Sequence, residues 1–515
     1  MPNVALPAAV APLALAVDIG TSSVRALAVD GLGRTVNEVE AQIPYEVNAT
    51  TDGGVTFPAP DLFDLLAACL DLVMANLGPR AGDFVAVGVT SFWHSLLGVD
   101  DRGEPVMPIL YWADTRSAHD AARLRREMPE EAVIARTGCR FHSSYWPAKL
   151  RWLAHAEPAT FAAAAGFVGP GEYLLRRLCG QEGRVASVSM ASGTGLLDVH
   201  RLVWDEEVAA LARVDPAALP PLDLAPSGFR LSEACAERWP QLRDVPWFPA
   251  LGDGACANVG SGAIGPGRIA LTMGTSGAMR LALPAPPEAT WSFNPRLWAY
   301  RLDRERAILG GALSNGGNLL NWMRSLLDTP VDGPLMDAAA ALEPDAHGLT
   351  VLPFVAGERS PAWHDTAHGV VAGLTLSTRP EHLLRAGMEA VAYRFATLYR
   401  NLLPLAAPEH TVVANGGAIL QSPAWQQIIA DALGHPLLAL PPDDEASARG
   451  AALMAFASAG VIPSPDAVPD PAAGAREIVP NARCHERYVE AAERQRVLEE
   501  RLFDREASWE DAAGA

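Results

Sequence analysis

One stretch of this chain occurs twice, and the repetition constrains the fold more than any bulk property. An apolar run from Leu13 to Val17 meets Asp18, turns through Gly20-Thr21-Ser22-Ser23, and is followed by a second apolar run from Val24 to Val29. Two short apolar runs around a small polar turn predict a β-hairpin, and Asp30-Gly31-Leu32-Gly33 supplies the next turn. Gly20 lets the backbone approach a ligand closely. The hydroxyls of Thr21, Ser22 and Ser23, with nearby amide N–H groups, can surround phosphate oxygens. Asp18 places a carboxylate at the mouth of that cradle, able to hold Mg²⁺ directly or through water. Taken alone, such a turn is equally well explained by local turn chemistry. However, with Gly20 set over Gly274, AVDIGTSSVRALAV lies over ALTMGTSGAMRLAL with six of fourteen positions identical. Two hairpins of one design, one near the start of each half, imply a duplicated domain. Such a pair could hold one nucleotide's phosphates from both sides of a cleft, with Gly274, Thr275 and Ser276 as the second loop.

A chain of 515 residues is too long for one core, so two or three domains are expected. The net charge of −20 implies no basic surface and argues against DNA or RNA as a partner. Any anionic substrate must then be met by locally placed Arg, Lys and backbone dipoles. The six cysteines are scattered without a CxxC pair, which fits free thiols in a reducing cytoplasm and offers no metal-site spacing. The apolar N-terminus lacks a basic leader and is interrupted by proline, so neither a targeting signal nor a membrane span is expected.

Residues 60–77 carry apolar side chains at helical spacing, and 84–90 read as a buried strand that delivers Ser91-Phe92-Trp93-His94 to its end. Ile109-Leu110-Tyr111 is expected to return as an adjacent strand, ending in Trp112-Ala-Asp114-Thr-Arg116 before a helix rich in Ala and Arg. Strands alternating with helices indicate an α/β architecture. The expected division is a first domain over 1–260, a second over 265–460, and a charged, partly helical tail over 461–515.

Asp253 lies in Leu251-Gly-Asp-Gly-Ala-Cys-Ala, a tight glycine turn at a helix start. A plain N-cap would explain an arbitrary Asp there. One element before the second Gly-Thr-Ser loop, its carboxylate can instead take the proton of a substrate hydroxyl as that oxygen attacks a γ-phosphorus. No GxxxxGK[ST] motif occurs, so a nucleotide must be held in another way. Gly416-Gly417, after an apolar strand and before an amphipathic helix, would let a base or ribose lie against backbone, although an ordinary strand-to-helix turn has the same composition. His94, Trp112, Asp114 and Arg116 suit a polyol, with Trp covering C–H groups while His and Asp exchange hydrogen bonds with hydroxyls.

On these residues the chain resembles the FGGY carbohydrate kinases, the sugar-kinase branch of the actin/hexokinase superfamily, from Leu13 to about Gly460. The resemblance implies two actin-like, ribonuclease H-like α/β domains with an interdomain cleft, and ATP and Mg²⁺ as nucleotide substrate and metal. It supports Asp253 as catalytic base, and it places Gly416-Gly417 and the Gly310-Gly311 pair in the adenosine motif. Gly357-Glu358-Arg359-Ser360-Pro361 resembles the family's G-E-R-[ST]-P signature. Within the family, three features match the gluconokinase branch: His94-Ser95, Trp112-Ala-Asp-Thr-Arg116, and the stretch Thr137 to Leu153 carrying His142, Pro147, Lys149 and Trp152. Phe92-Trp93 stands where xylulokinases show Gln-Met. The expected activity is ATP-dependent phosphorylation of a sugar acid, D-gluconate foremost, with Arg116, His142 and Lys149 as candidate cations for its carboxylate. A pentulose or polyol kinase is the alternative, and an actin-like ATPase switch without a sugar is the alternative of another class. The expected partner is a small-molecule sugar or sugar acid, with no nucleic acid and no membrane, in a cytoplasmic protein that leaves room for a homodimer.

Overall fold

The computed structural model describes residues 3–503 apart from 227, 288, 290, 331–332, 365–366 and 442–444. The chain forms two compact units, and neither is continuous in sequence. The first comprises Met1–Gly265, Ala282–Leu309 and Asp443–Ala473; the second comprises Pro266–Leu281, Gly310–Pro442 and Gly474–Ala515. Two stretches beyond residue 265 thus belong with the first unit, a grouping that linear composition does not reveal.

The first unit is built on a six-stranded sheet ordered Asn3–Ala5, Thr35–Pro44, Ser23–Val29, Leu13–Ile19, Phe84–Ser91, Leu251–Gly252. Leu13–Ile19 pairs antiparallel with Ser23–Val29 and parallel with Phe84–Ser91, which in turn pairs parallel with Leu251–Gly252. Leu13 through Val17 are fully buried, the reason for their unbroken apolar run in a central strand. Helix Ala59–Leu77 buries Leu62, Leu66, Cys69, Leu70 and Val73 and packs on Ser23–Val29 and Thr35–Pro44. By length and composition this helix could cross a membrane; here its apolar stripe is core. Helix Ala446–Ser458 packs on Leu13–Ile19, Phe84–Ser91 and helix Asp253–Gly260.

The second unit repeats the plan. Arg268–Met273 pairs antiparallel with Gly277–Pro284 and parallel with Thr411–Asn415, which pairs parallel with Leu437–Ala439. Helix Pro380–Leu402 precedes Thr411–Asn415 as helix Ala59–Leu77 precedes Phe84–Ser91. Hairpin, helix and two parallel strands therefore recur in the same order, as the duplicated motif predicts.

The ungapped overlay of the two hairpins needs one correction. Ile19 pairs with Val24 across four residues, whereas Met273 pairs with Gly277 across three. The second turn is shorter by one residue, so the cross-strand register shifts beyond it. Ile109–Leu110 also departs from expectation. It joins Val55–Phe57 in a separate three-stranded sheet, not the sheet that carries Phe84–Ser91.

Candidate active site

In the first unit the Gly20–Ser23 turn is closed by Gly20 N–H donating to Ser23 O (3.0 Å) and is braced from outside by Tyr45. The Tyr45 hydroxyl donates to Gly20 O (2.5 Å) and its amide to Ser22 O (2.9 Å). Thr21 and Ser22 are exposed, while the Ser23 hydroxyl accepts from Gln42 Nε2 at 3.0 Å. The turn is therefore a fixed backbone with two hydroxyls facing solvent.

Asp18 sits directly opposite Arg25 in the hairpin. Burial pushes its carboxyl up to about 6, Arg25 works against that rise, and the charge of Asp253 adds to it. Two carboxylates that feel each other beside a hydroxyl-rich turn make a hard-oxygen donor set of the kind Mg²⁺ takes, and a divalent cation would relieve their repulsion. The residues present fit the metal.

Asp253 opens helix Asp253–Gly260 as its first residue. Gly252 is the cap, so the plain N-cap reading of Asp253 does not hold. Its Oδ1 accepts from Gly254 N–H at 2.7 Å. Gly252 N–H donates to Ser189 Oγ (3.1 Å), and the Ser189 carbonyl accepts from Trp93 Nε1 (3.0 Å), so one serine ties the Asp253 turn to the residue before His94.

His94 has a left-handed backbone (φ 69°), an uncommon conformation for a side chain of this size. Its Nδ1 lies 2.5 Å from Gly193 O, and because a carbonyl only accepts, the proton is on Nδ1. In the neutral ring Nε2 is then an acceptor. Tyr145 and Tyr300 meet the imidazole edge-on at 4.9 and 5.6 Å and share a hydroxyl–hydroxyl bond of 2.6 Å, with Trp298 stacked on Tyr300 at 4.2 Å. The sequence reading missed Tyr145, Trp298 and Tyr300 as site residues. The only signal was the aromatic density of Trp298-Ala-Tyr300 and of the loop before Trp146.

Trp112 is half-buried, and its amide donates to Ser95 Oγ at 3.0 Å. The backbone bridge between Leu96 and Leu110 brings this residue and His94 into one neighbourhood, in place of the expected adjacent strands. Asp114 is buried and accepts from Val55 N–H and from the Arg116 guanidinium, with Nη2–Oδ2 at 2.7 Å. Arg116 also stacks 4.5 Å over Trp152, and Asp114 holds its basicity above the ordinary value. Its fork is committed inside the protein and is not a waiting cation. Lys149 is buried, donates to the carbonyls of Ser143 (2.9 Å) and Ser144 (3.0 Å), and is pulled down to about 7 by burial. His142 Nδ1 accepts from Ser144 N–H at 3.1 Å.

In the second unit Gly274 N–H donates to Ser276 O (3.0 Å), and the loop is braced by a glycine pair further along the chain. Gly317 N–H donates to Gly274 O (2.9 Å) and Asn318 N–H to Thr275 O (3.0 Å). A Cβ on Gly316 would stand 2.9 Å from the Ser276 backbone. Gly416 has φ 94°, and a Cβ there would lie 2.7 Å from Met273 O, one residue before the loop. Gly274, Thr275, Ser276, Gly416 and Gly417 are thus brought together, joined by Gly316, Gly317 and Asn318, whose Gly-Gly pair was the available signal. Gly311 lies inside strand Arg306–Leu313, where a Cβ would meet Leu398 Cδ2 at 2.1 Å, so it packs closely against helix Pro380–Leu402.

Glu358 of the G-E-R-[ST]-P stretch is buried, and its Oε1 takes the Arg394 guanidinium at 2.5 Å. Arg394 also pairs with Glu499 of helix Ala482–Phe503. The stretch is structural, and the C-terminal helix buries one face, Tyr488, Ala491, Ala492, Gln495 and Glu499, in the second unit.

The sequence model of the FGGY family of carbohydrate kinases, N-terminal domain, matches residues 13–260, and that of the C-terminal domain matches 269–459. The chain is 30% identical over 471 residues to a gluconokinase of Bacillus licheniformis, covering 88% of this chain and 89% of that one. It is 30% identical over 473 residues to a glycerol kinase of Nitrobacter hamburgensis, covering 88% and 91%. The solved structure of a xylulose kinase from Rhodospirillum rubrum superposes with a TM-score of 0.82 at 28% identity, covering 95% of this chain and 99% of that one.

Proposed function

The chain belongs to the FGGY family of carbohydrate kinases, and on that premise we propose that it transfers the γ-phosphate of ATP to a terminal hydroxyl of a sugar acid, D-gluconate foremost. The observation that carries the phosphoryl-transfer reading is the pair of mutually sensed carboxylates, Asp18 and Asp253, in the unit that also holds the Gly20–Ser23 turn. Asp253 takes the proton of the attacking hydroxyl. Asp18 would hold Mg²⁺, which when bound would supply charge neutralisation at the phosphates. Thr21, Ser22, Ser23, Gly274, Thr275 and Ser276 offer hydroxyl and amide donors to phosphate oxygens, and Gly416-Gly417 takes the adenosine. His94 Nε2 accepts from a sugar hydroxyl, with Tyr300 and Trp112 as apolar walls. The protein works in the cytoplasm.

The gluconokinase relatives and the match of Thr137–Leu153 support gluconate. One observation favours a neutral polyol or pentulose as the second reading: Arg116 is bound to Asp114 and Lys149 to two carbonyls, so neither stands open to a carboxylate. A coupled ADP-release assay with D-gluconate, D-xylulose, glycerol and no sugar decides between them. Gluconate is expected to give the highest kcat/KM. A faster neutral sugar overturns the gluconate reading, and ADP release unaffected by any sugar overturns the phosphoryl-transfer reading.

A further inference from the structure

The first unit contains a cavity of about 310 Å³ that none of the residues assigned above lines. It is lined by Gly88 and Val89 of the strand Phe84–Ser91 and by Val188, Phe248, Leu251 and Met454, among others. This volume lies at the small end of sites that take organic ligands, and the lining is apolar, as such sites usually are. Polar lining comes from the rim turn Asp303-Arg304-Glu305-Arg306 and from Ser187, Asp223 and Ser458, with Asp223 Oδ1 already accepting from Ala225 N–H at 3.1 Å.

The rim charges are not equivalent. Asp303 Oδ1 accepts from the amides of Glu305 (2.9 Å) and Arg306 (2.8 Å), and its Oδ2 accepts from Arg306 Nε (2.9 Å). That acid and Arg306 satisfy each other. Arg304 Nε stands 3.8 Å from Glu305 Oε1, beyond hydrogen-bond distance, with the two side chains 53% and 64% exposed. An exposed contact of this kind holds a side chain weakly. Arg304 is therefore the rim cation able to turn toward an arriving anion.

The cavity also touches the support of the Asp253 turn. Ser187 and Val188 line it, and the Ser187 hydroxyl donates to Ala250 O at 2.6 Å. Two residues on, Ser189 holds Gly252 N–H and Trp93 Nε1. Leu251, another lining residue, is two positions before Asp253 and pairs with Thr90. A ligand seated against Val188 and Leu251 leans on the joint that positions both Asp253 and the segment before His94.

We propose that this cavity is a second small-molecule site, that it takes a compact amphiphilic anion with its apolar body inside and its head on Arg304, and that its occupancy changes turnover at the Asp253 site. The site does not depend on which sugar is phosphorylated, so binding is read without substrate. The probes are 8-anilinonaphthalene-1-sulfonate, followed by fluorescence, and octanoate as competitor. One saturable equivalent of the fluorophore, displaced by octanoate, is expected on the wild-type chain. Arg304→Glu should weaken octanoate about tenfold, as expected for removing a cation from a charged contact. Ala457→Trp, which fills the cavity from helix Ala446–Ser458, should abolish binding and leave sugar-free ATP affinity unchanged. Ser458→Trp, from an exposed position on the same rim, replaces it if that variant does not fold. Saturating octanoate should change wild-type kcat/KM at least about fivefold and leave the plugged variant unaffected. Absence of saturable binding, or equal binding to the plugged variants, overturns the site. Binding with no change in turnover overturns its coupling to Asp253.

Discussion

The two Gly-Thr-Ser hairpins share a plan but not a chemistry. The first carries Asp18 two residues before its glycine, and the second carries Thr272 at the same place. The first turn has four residues between its paired positions and is braced by Tyr45, from the strand side of its own unit. The second has three and is braced by Gly317 and Asn318, from the start of a helix. The hairpin plan occurs twice, and only one of the two turns is preceded by a carboxylate. Under the proposed function this difference is the reason Mg²⁺ is given to the first turn and neutral donors to the second.

The largest expected contrast is kinetic. Asp18→Ala should lower kcat with saturating sugar by about 10²-fold or more, the scale of losing one electrostatic contact to a transition state. Thr272→Ala should stay within about threefold. Equal losses in the same steady-state assay would erase the distinction between the turns. Stability should move the other way. The folded chain keeps the Asp18 proton up to about pH 6, whereas an unfolded chain releases it near pH 4. Stability is therefore lost as pH rises through that window and stays low above it. Asp18→Asn should stabilise the protein above pH 6 by about 1–3 kcal/mol, with little effect at pH 4, in thermal melts of the two proteins. A variant less stable at pH 7 would contradict the buried-carboxylate account.

Packing gives a smaller contrast. A Cβ at Gly277 would stand 2.6 Å from Phe395 Cζ, whereas the aligned Ser23 is half-buried beside Gln42. Gly277→Ala should cost about 1–3 kcal/mol in urea denaturation and Ser23→Ala about 0.5 kcal/mol or less. The smallest effect concerns the brace. Tyr45→Phe removes the hydrogen bond to Gly20 O, a loss of about 1 kcal/mol. It should raise KM for ATP a few-fold with sugar KM unchanged, and a change confined to sugar KM would detach this turn from the nucleotide.

The hairpins, the strand Phe84–Ser91 and the Asp253 helix were legible in the sequence because each is a local pattern: apolar runs, a polar turn, a glycine before a helix. The pairing of Ile109–Leu110 was not, because a two-residue strand has no period and its partner Val55–Phe57 lies half a hundred residues earlier. Arg116 read as an open cation because sequence shows charge without partners. The bond to Asp114, two residues away, appears only once the turn is folded. Gly311 and Gly316–Gly317 belong to one short run of glycines, and composition could not tell the packing position from the pair that touches Gly274. Tyr300 reaches His94 from a segment more than two hundred residues away, beyond any local signal.

The most direct test of the account is the turnover of Asp253→Asn with saturating ATP, Mg²⁺ and D-gluconate, measured beside ATP affinity in the same preparation. Loss of a general base predicts a fall of about 10²–10⁴-fold in kcat with ATP binding nearly intact. A variant that keeps more than half of the wild-type turnover would contradict the assignment of Asp253 as the proton acceptor.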